Sequence, residues 1–175
     1  MLIKTKRLVI RNFKKSDYRD LHEYLSDRET YKYEPGKPET LETAKKLCEE
    51  RAKENKFFAV QLNDKVIGHI YRDQTEPKKL LTWELGFIFN RKYQGKGYAT
   101  EALSAIIEDG FNTTKVHRFV AHCNPKNTSS WKLLERVKMK REGRLRKNIY
   151  FDVDAEGNPL WLDTYEYGLL REAGR

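Results

Sequence analysis

The sequence predicts an α+β domain whose mixed sheet combines antiparallel hairpins with one parallel crossover. Three observations carry this. Strand-like and helix-like segments are interleaved without linker, repeat or low-complexity tract. A central group of strand patterns is separated by short polar turns, as in a meander. One apolar strand pattern runs through a glycine-punctuated turn into a helix and on to a further strand, the order of a strand–helix–strand unit.

Taken in order, "RLVIRNF" alternates Leu8 and Ile10 with cations, as a half-buried strand does. Ser16 and Asp17 open an amphipathic helix through Leu21 and Leu25. Pro38 and Thr40 start a second helix, whose Leu41, Ala44, Leu47 and Ala52 keep helical spacing. "FFAVQL" and "KVIGHIYR" flank an Asn63–Asp64 turn, and "LLTWELGFIF" follows as a third strand of the meander. In the next helix Ala99, Ala102, Leu103, Ile106, Ile107 and Phe111 form one apolar stripe. "VHRFVAHC" is a strand, "NTSSWKLLERV" a helix, and two last strands span roughly 139 to 151 and 160 to 169. The predicted order is β-α-α-β-β-β-α-β-α-β-β.

The 175 residues suit a single domain, 1–175, and 38% hydrophobic with 12% aromatic residues supply a core despite 35% charged ones. Cys48 and Cys123 match no metal or redox spacing, so no metal site and no disulfide framework is expected, which suits a reducing cytoplasm. The charged N-terminus resembles neither a signal peptide nor a membrane span, and no membrane partner is expected. The net charge of +9 attracts anions, whether nucleic acid, an acidic protein or a polyphosphate cofactor. It is densest in "KMKREGRLRK", where six of the ten residues from 138 to 147 are Lys or Arg. That run is either a solvated strand face or an anion contact.

The turn "FNRKYQGKGYATEAL" has the chemistry of a phosphate cradle. A helix opening at a strand's exit presents amides without internal partners and the positive end of its dipole. Gly95 and Gly97 keep side chains off those amides and allow backbone angles closed to other residues, while Arg91, Lys92 and Lys96 add charge. It is no P-loop, since Gly97 rather than Ser or Thr follows Lys96. Nor is it a dinucleotide fingerprint, since Thr100 stands where a third glycine belongs.

Gln94-Gly95-Lys96-Gly97-Tyr98-Ala99 resembles the Q/R-x-x-G-x-G/A acyl-coenzyme A signature of the GNAT N-acetyltransferase superfamily. "NPKNTSSWKLLERVKMKREG" is similar to the Asn-x-x-Ser segment of its ribosomal-protein-alanine N-acetyltransferase (Rim-type) branch, and "TKRLVIRNFKKSD" and "LWLDTYEYGLL" also fit that branch. The resemblance covers nearly the whole chain. It implies a mixed, mainly antiparallel sheet flanked by helices, with the crossover as the acyl-CoA-binding unit. It implies an acetyl-CoA-dependent N-acetyltransferase acting by direct attack of a primary amine in a ternary complex. The amine is a protein N-terminus on the branch resemblance; relatives also acetylate polyamines, antibiotics and amino acids.

By the same resemblance, amides from Gly95 through Lys96, Gly97, Tyr98 and Ala99 to Thr100 take the pyrophosphate. Phe87, Ile88 and Phe89 pair with pantetheine as an added strand would. One amide of that strand bonds the acetyl carbonyl, and Asn127 bonds the cofactor arm or caps the helix that follows it. Many relatives carry an acid tyrosine seven residues after the Asn; here that position is Leu134, and Ser130 is the candidate to serve the leaving thiolate. Two residues compete as base: Glu84 in "TWELGF", and His122, five residues before Asn127. Tyr31, Tyr33, Glu34 and Trp161 are candidates for lining the acceptor pocket. A homodimer is left open. The rival reading, an RNA- or ribosome-binding module without chemistry, explains the charge but not the glycines at a strand–helix junction. No Cys/His module or aromatic-rich RNA signature supports nucleic acid as a partner.

Overall fold

The computed structural model describes residues 1–171. Eight strands form one sheet in the order β1-β2-β3-β4-β5-β6-β8-β7, with four helices on its two faces. The sheet opens with a hairpin, β1 (Leu2–Lys4) and β2 (Leu8–Asn12), where the sequence pattern suggests only one strand. The observed order is therefore β-β-α-α-β-β-β-α-β-α-β-β. Three residues are too few to display an alternation; β1 exists because Thr5 closes the turn, its hydroxyl accepting the Leu8 N–H at 2.9 Å while its own N–H reaches the Leu8 carbonyl at 2.9 Å.

A single 3-10 turn at Lys15–Asp17 leads into α1 (Tyr18–Leu25). Arg11 binds both Asp17 carboxylate oxygens, at 2.7 and 2.9 Å, and ties the turn to β2. Helix α2 (Leu41–Arg51) starts at Thr40, which exchanges backbone and side-chain hydrogen bonds with Thr43. β3 (Phe57–Leu62) and β4 (Lys65–Gln74) meet at the Asn63–Asp64 turn, with Asn63 at φ 53°. β5 (Thr82–Phe89) pairs antiparallel with β4 along its whole length.

From β5 the chain crosses through α3 (Tyr98–Thr113) to β6 (Arg118–Cys123), the sheet's one parallel pair among the described residues. The apolar stripe of α3 is buried, and Gly110 lets the helix approach β6 so closely that a Cβ there would lie 2.4 Å from Phe119 Cζ. Helix α4 (Thr128–Arg136) follows, then the long hairpin of β7 (Lys140–Ile149) and β8 (Leu162–Leu170). One core joins α3 and α4 to the sheet through Leu103, Ile106, Phe119, Leu134 and Tyr167. The opposite face packs α1 and α2 through Leu21, Tyr24, Leu25 and Cys48. The strands expected over roughly 139–151 and 160–169 shorten or shift by one to two residues at their ends, where strands fray.

What positions the site is an opening within the sheet. β5 and β6 pair only at Thr82–Arg118, Trp83–Phe119 and Glu84–Val120; beyond Glu84 no further pairing joins them. The last residues of β5 therefore offer a free backbone edge. Asn90 N–H donates to Ile67 O and Thr82 O accepts from Thr75 N–H, both at 2.9 Å and both toward β4. By strand alternation the backbone groups of Phe87 and Phe89 point the other way, into the opening.

Candidate active site

A cleft of about 920 Å³ occupies that opening. Its walls are the end of β5, the glycine turn with the start of α3, the first turns of α4, and the loop between α1 and α2. Ten of the positions assigned to acyl-CoA and Ser130 border it: Phe87, Ile88, Phe89, Gln94, Gly95, Gly97, Tyr98, Ala99, Thr100 and Asn127 with Ser130. Lys96 does not border it; its Nζ lies 5.9 Å from the centre of the Tyr93 ring.

The turn carries both left-handed glycines, Gly95 at φ 75° and Gly97 at φ 79°. Gly97 is the N-cap of α3 and no side chain caps the helix. The first intrahelical bond runs from Glu101 N–H to Gly97 O at 3.0 Å, which leaves the amides of Tyr98, Ala99 and Thr100 without an intrahelical acceptor. Gln94 Nε2 donates to Phe89 O at 3.0 Å, so of the outward-facing backbone groups at the end of β5 the Phe89 carbonyl is engaged. The N–H of Phe89 and both groups of Phe87 face the cleft.

Arg7 braces this turn, a contact the sequence motif does not disclose. Its Nε binds Glu101 at 2.6 Å, its Nη1 donates to Lys96 O at 3.0 Å, and its guanidinium lies 4.5 Å from the Tyr98 ring centre. Thr5 adds a 2.6 Å bond to the same carboxylate. The β1–β2 hairpin thus holds the first turn of α3 from outside. A signal for it exists only in hindsight: an acidic residue in the first helical turn and a cation far away in sequence are each ordinary.

On α4, Asn127 is the N-cap; its side-chain oxygen accepts Ser130 N–H at 3.2 Å and the Ser129 hydroxyl at 2.9 Å. Ser130 is buried beside the Cys123 thiol, whose pKa burial pushes up to about 11. Leu134 is fully buried in the core. Lys132 and Arg136, one turn apart, border the cleft, and Arg136 Nε donates to Thr100 Oγ1 at 3.3 Å.

Glu84 and His122 lie outside the cleft wall and bind each other. His122 Nδ1 sits 3.0 Å from Glu84 Oε1 and its Nε2 lies 3.5 Å from Glu166 Oε2. The hydrogen bond to Glu84 leads the causes that raise the His122 pKa above its ordinary value. Of the acceptor-pocket candidates, Tyr33 and Glu34 border the cleft, whereas Tyr31 packs on the α1–α2 face and Trp161 stacks edge-on with Tyr150 on the last hairpin, 5.2 Å between centres. Burial alone pushes the Glu34 carboxyl up to about 7. The basic run falls on β7, outside the cleft; Arg141 lies over Tyr165 at 4.5 Å and Arg144 binds Asp163 at 2.6 Å. Cys48 and Cys123 are separate, buried free thiols.

Comparison with known proteins gives a consistent family. The family model described as "Acetyltransferase (GNAT) domain" matches residues 7–140. The chain is 40% identical, over 98% of each protein, to an uncharacterized N-acetyltransferase, YnaD, of Bacillus subtilis. Its structure is similar to a GNAT-family acetyltransferase from Bacillus anthracis, with TM-score 0.87, 38% identity, and 97% and 98% of the two chains covered. The match to the [ribosomal protein uS5]-alanine N-acetyltransferase of Escherichia coli is 37% identical but covers only 39% of this chain and 35% of that one. The solved structure of RimL, a ribosomal L7/L12 alpha-N-protein acetyltransferase, in complex with coenzyme A shares the fold at TM-score 0.83 and 17% identity over 99% of both chains.

Proposed function

From membership of the GNAT acetyltransferase family, to which this chain belongs, we propose that it transfers acetyl from acetyl-CoA to a primary amine by direct attack within the cleft, with a protein N-terminus as acceptor. That it is an acyltransferase follows from the family, and an RNA-binding module without chemistry is set aside on the same ground. The observation that carries the mechanistic reading is the unpaired edge of β5 facing the uncapped start of α3 across one cleft.

The residues fit the cosubstrate. Two backbone positions at φ 75° and 79° present the turn without Cβ atoms, and three helix amides lack intrahelical acceptors, which suits a pyrophosphate. The free groups of Phe87 and Phe89 suit an amide-bearing arm laid alongside as an extra strand. Acetyl-CoA supplies an activated acyl group; the remaining chemistry falls to the chain. An outward N–H of Phe87 or Phe89 donates to the carbonyl oxygen, and this bond strengthens as negative charge builds there during attack. Asn127 fixes the start of α4 and thereby the Ser130 hydroxyl, the group assigned to the departing sulfur. Holding amine and acyl carbon together in one cleft replaces an encounter from solution.

The N-terminal acceptor rests on the local sequence match to the uS5-alanine enzyme and on the Asn127-x-x-Ser130 segment. The test is a thiol-release screen with acetyl-CoA against Ala- and Ser-initiated peptides, diamines and polyamines, and free amino acids. Release with the peptides alone is the expected result. Release confined to small amines would overturn the acceptor, and no release with any amine by a protein that binds coenzyme A would overturn the reaction.

A further inference from the structure

We infer that Glu34, in the loop between α1 and α2, is the group that receives the acceptor amine as its ammonium ion and removes its proton. The inference rests on the acetyl-transfer reading above and names a residue for it that neither Glu84 nor His122 supplies by position. Glu34 borders the same cleft as Phe89 and Ser130. Its carboxylate is near enough to Cys123, the thiol beside Ser130, to raise that thiol's pKa by its charge. It therefore stands at the end of the cleft where the β5 edge and the head of α4 converge, on the side closed by the α1–α2 loop.

Glu34 is held there without a partner of its own. Burial is the whole cause of its shift, with no hydrogen bond and no cation contributing. Of the other charged groups, Glu29 and Lys32 of the same loop also border the cleft, and the rest are engaged elsewhere or stand toward the start of α3. Arg91 binds Asp27 at 3.3 Å, Glu101 is held by Arg7 and Thr5, and Glu135 accepts the Tyr167 hydroxyl at 3.0 Å. On its own loop Lys32 lies 5.5 Å from the Tyr33 ring centre, and Tyr31 is itself raised by burial. From β7, Arg141 lies over Tyr165. Lys132 and Arg136 belong to α4, with Arg136 reaching Thr100 at the helix start. A desolvated, unpaired carboxylate lowers its free energy by taking a cation or a proton, and a protonated amine offers both.

The step balances. A lone pair of the Glu34 carboxylate takes one proton from the ammonium, leaving a neutral amine and a carboxylic acid. The amine nitrogen then forms its bond to the acyl carbon while the carbon–sulfur bond breaks. The second proton leaves nitrogen for the departing sulfur, and Glu34 returns its own proton to solvent. With a carboxyl near 7, the base is about half ionised at neutral pH, where proton transfer is most effective.

The test has two arms. In the first, the protein without ligands is titrated and its carboxyl resonances are followed by carbon-13 NMR, with Glu34→Gln identifying the signal. A midpoint about 7 supports the inference, and one in the ordinary range near about 4.3 overturns it. In the second, kcat and kcat/KM are measured against pH with an Ala-initiated hexapeptide and with 1,4-diaminobutane. Glu34→Gln should lower kcat by roughly 10²–10⁴-fold and flatten the acidic limb, with coenzyme A affinity within a few-fold. Glu34→Asp should restore part of the limb. Unchanged kcat and limb in Glu34→Gln, with the limb lost in Glu84→Gln or His122→Gln, would overturn it. If coenzyme A binds yet neither amine is acetylated, the acceptor reading fails, and the titration alone decides on Glu34.

Discussion

Replacing Gly97 with Val tests the cofactor reading where backbone and ligand compete for the same atoms. Gly97 sits at φ 79°, a left-handed conformation that costs an L-residue about 1–2 kcal/mol, and more for a β-branched one. A Cβ there meets only Arg7 Nη2 at 3.4 Å, so the protein should fold, displaced at the brace that holds Lys96 O. The strain alone lowers the melting temperature by roughly 2–8 °C for a domain of this size. Coenzyme A at 100 times its Kd stabilises the native protein by about 2.7 kcal/mol, a rise of roughly 5–11 °C. In Gly97→Val most of that rise should vanish, because a branched side chain now stands over the free amides of α3. Gly157→Val is the control: Gly157 has φ 86°, a Cβ there meets nothing within 4 Å, and it lies on the last hairpin outside the cleft. It should lose a similar amount of stability and keep the full response to coenzyme A. The assay is a thermal melt of each folded variant across a coenzyme A titration. A full ligand response in Gly97→Val, or an equal loss in Gly157→Val, would falsify the reasoning.

Two further outcomes follow from the same structure. Ser130→Ala should lower kcat while coenzyme A affinity stays within a few-fold, since Asn127 keeps the Ser130 N–H and only the hydroxyl is lost; equal kcat removes Ser130 from the mechanism. Stability should respond to pH through two histidines of opposite sign. His69 is buried and its pKa lies well below the ordinary value, first from burial and then from Arg51, so protonation of the unfolded chain below about 6.5 draws the protein toward unfolding. His122 is raised, so its contribution is complete below about 6.5 and fades as pH rises through its folded value. His122→Gln should therefore destabilise more at pH 5.5 than at pH 8, by less than about 1 kcal/mol because His122 and Glu84 are each over a third exposed. Urea melts of both proteins at the two pH values check it; an equal or larger loss at pH 8 would contradict the sign.

The phosphate turn was readable because its requirements are local. Two glycines at spacing two, a strand before and an apolar stripe after specify a helix start that no side chain caps, and the φ values of Gly95 and Gly97 are the consequence. The stripe of α3 was equally readable, since Leu103 and Ile106 each need only neighbours three or four residues away to define a face. The β1 strand was not: among the described residues its only strand partner is β2, and its length shows no period. Nor was the relation of Glu84 to His122. Each alternates within its own strand as a polar residue should, and only the parallel register of Glu84 with Val120 sets the histidine two residues farther on within reach of the carboxylate.

Charge shows the same division between what is local and what is not. The composition gives +9, but the turn's own cations are largely neutralised at hand: Arg91 binds Asp27, and Lys92 binds Glu23 at 2.9 Å. The cations that do face the cleft from the far wall are Lys132 and Arg136, and no motif marks them because they belong to α4, more than thirty residues after the turn. The densest basic run ended on an edge strand where both faces are exposed, with Arg118 and Glu142, and Arg144 and Asp163, paired across it. A long-range field still follows from the net charge, and it attracts anions in general. The local features at the start of α3 are narrower: three amides without intrahelical acceptors, two cations on α4 facing them, and Arg7 bonded to the turn at Lys96 O. At the α1–α2 loop the lining is mixed, with Glu29 and Lys32 beside Glu34, and what sets Glu34 apart is burial, which pushes its carboxyl up to about 7 and makes a cation or a proton its favoured company.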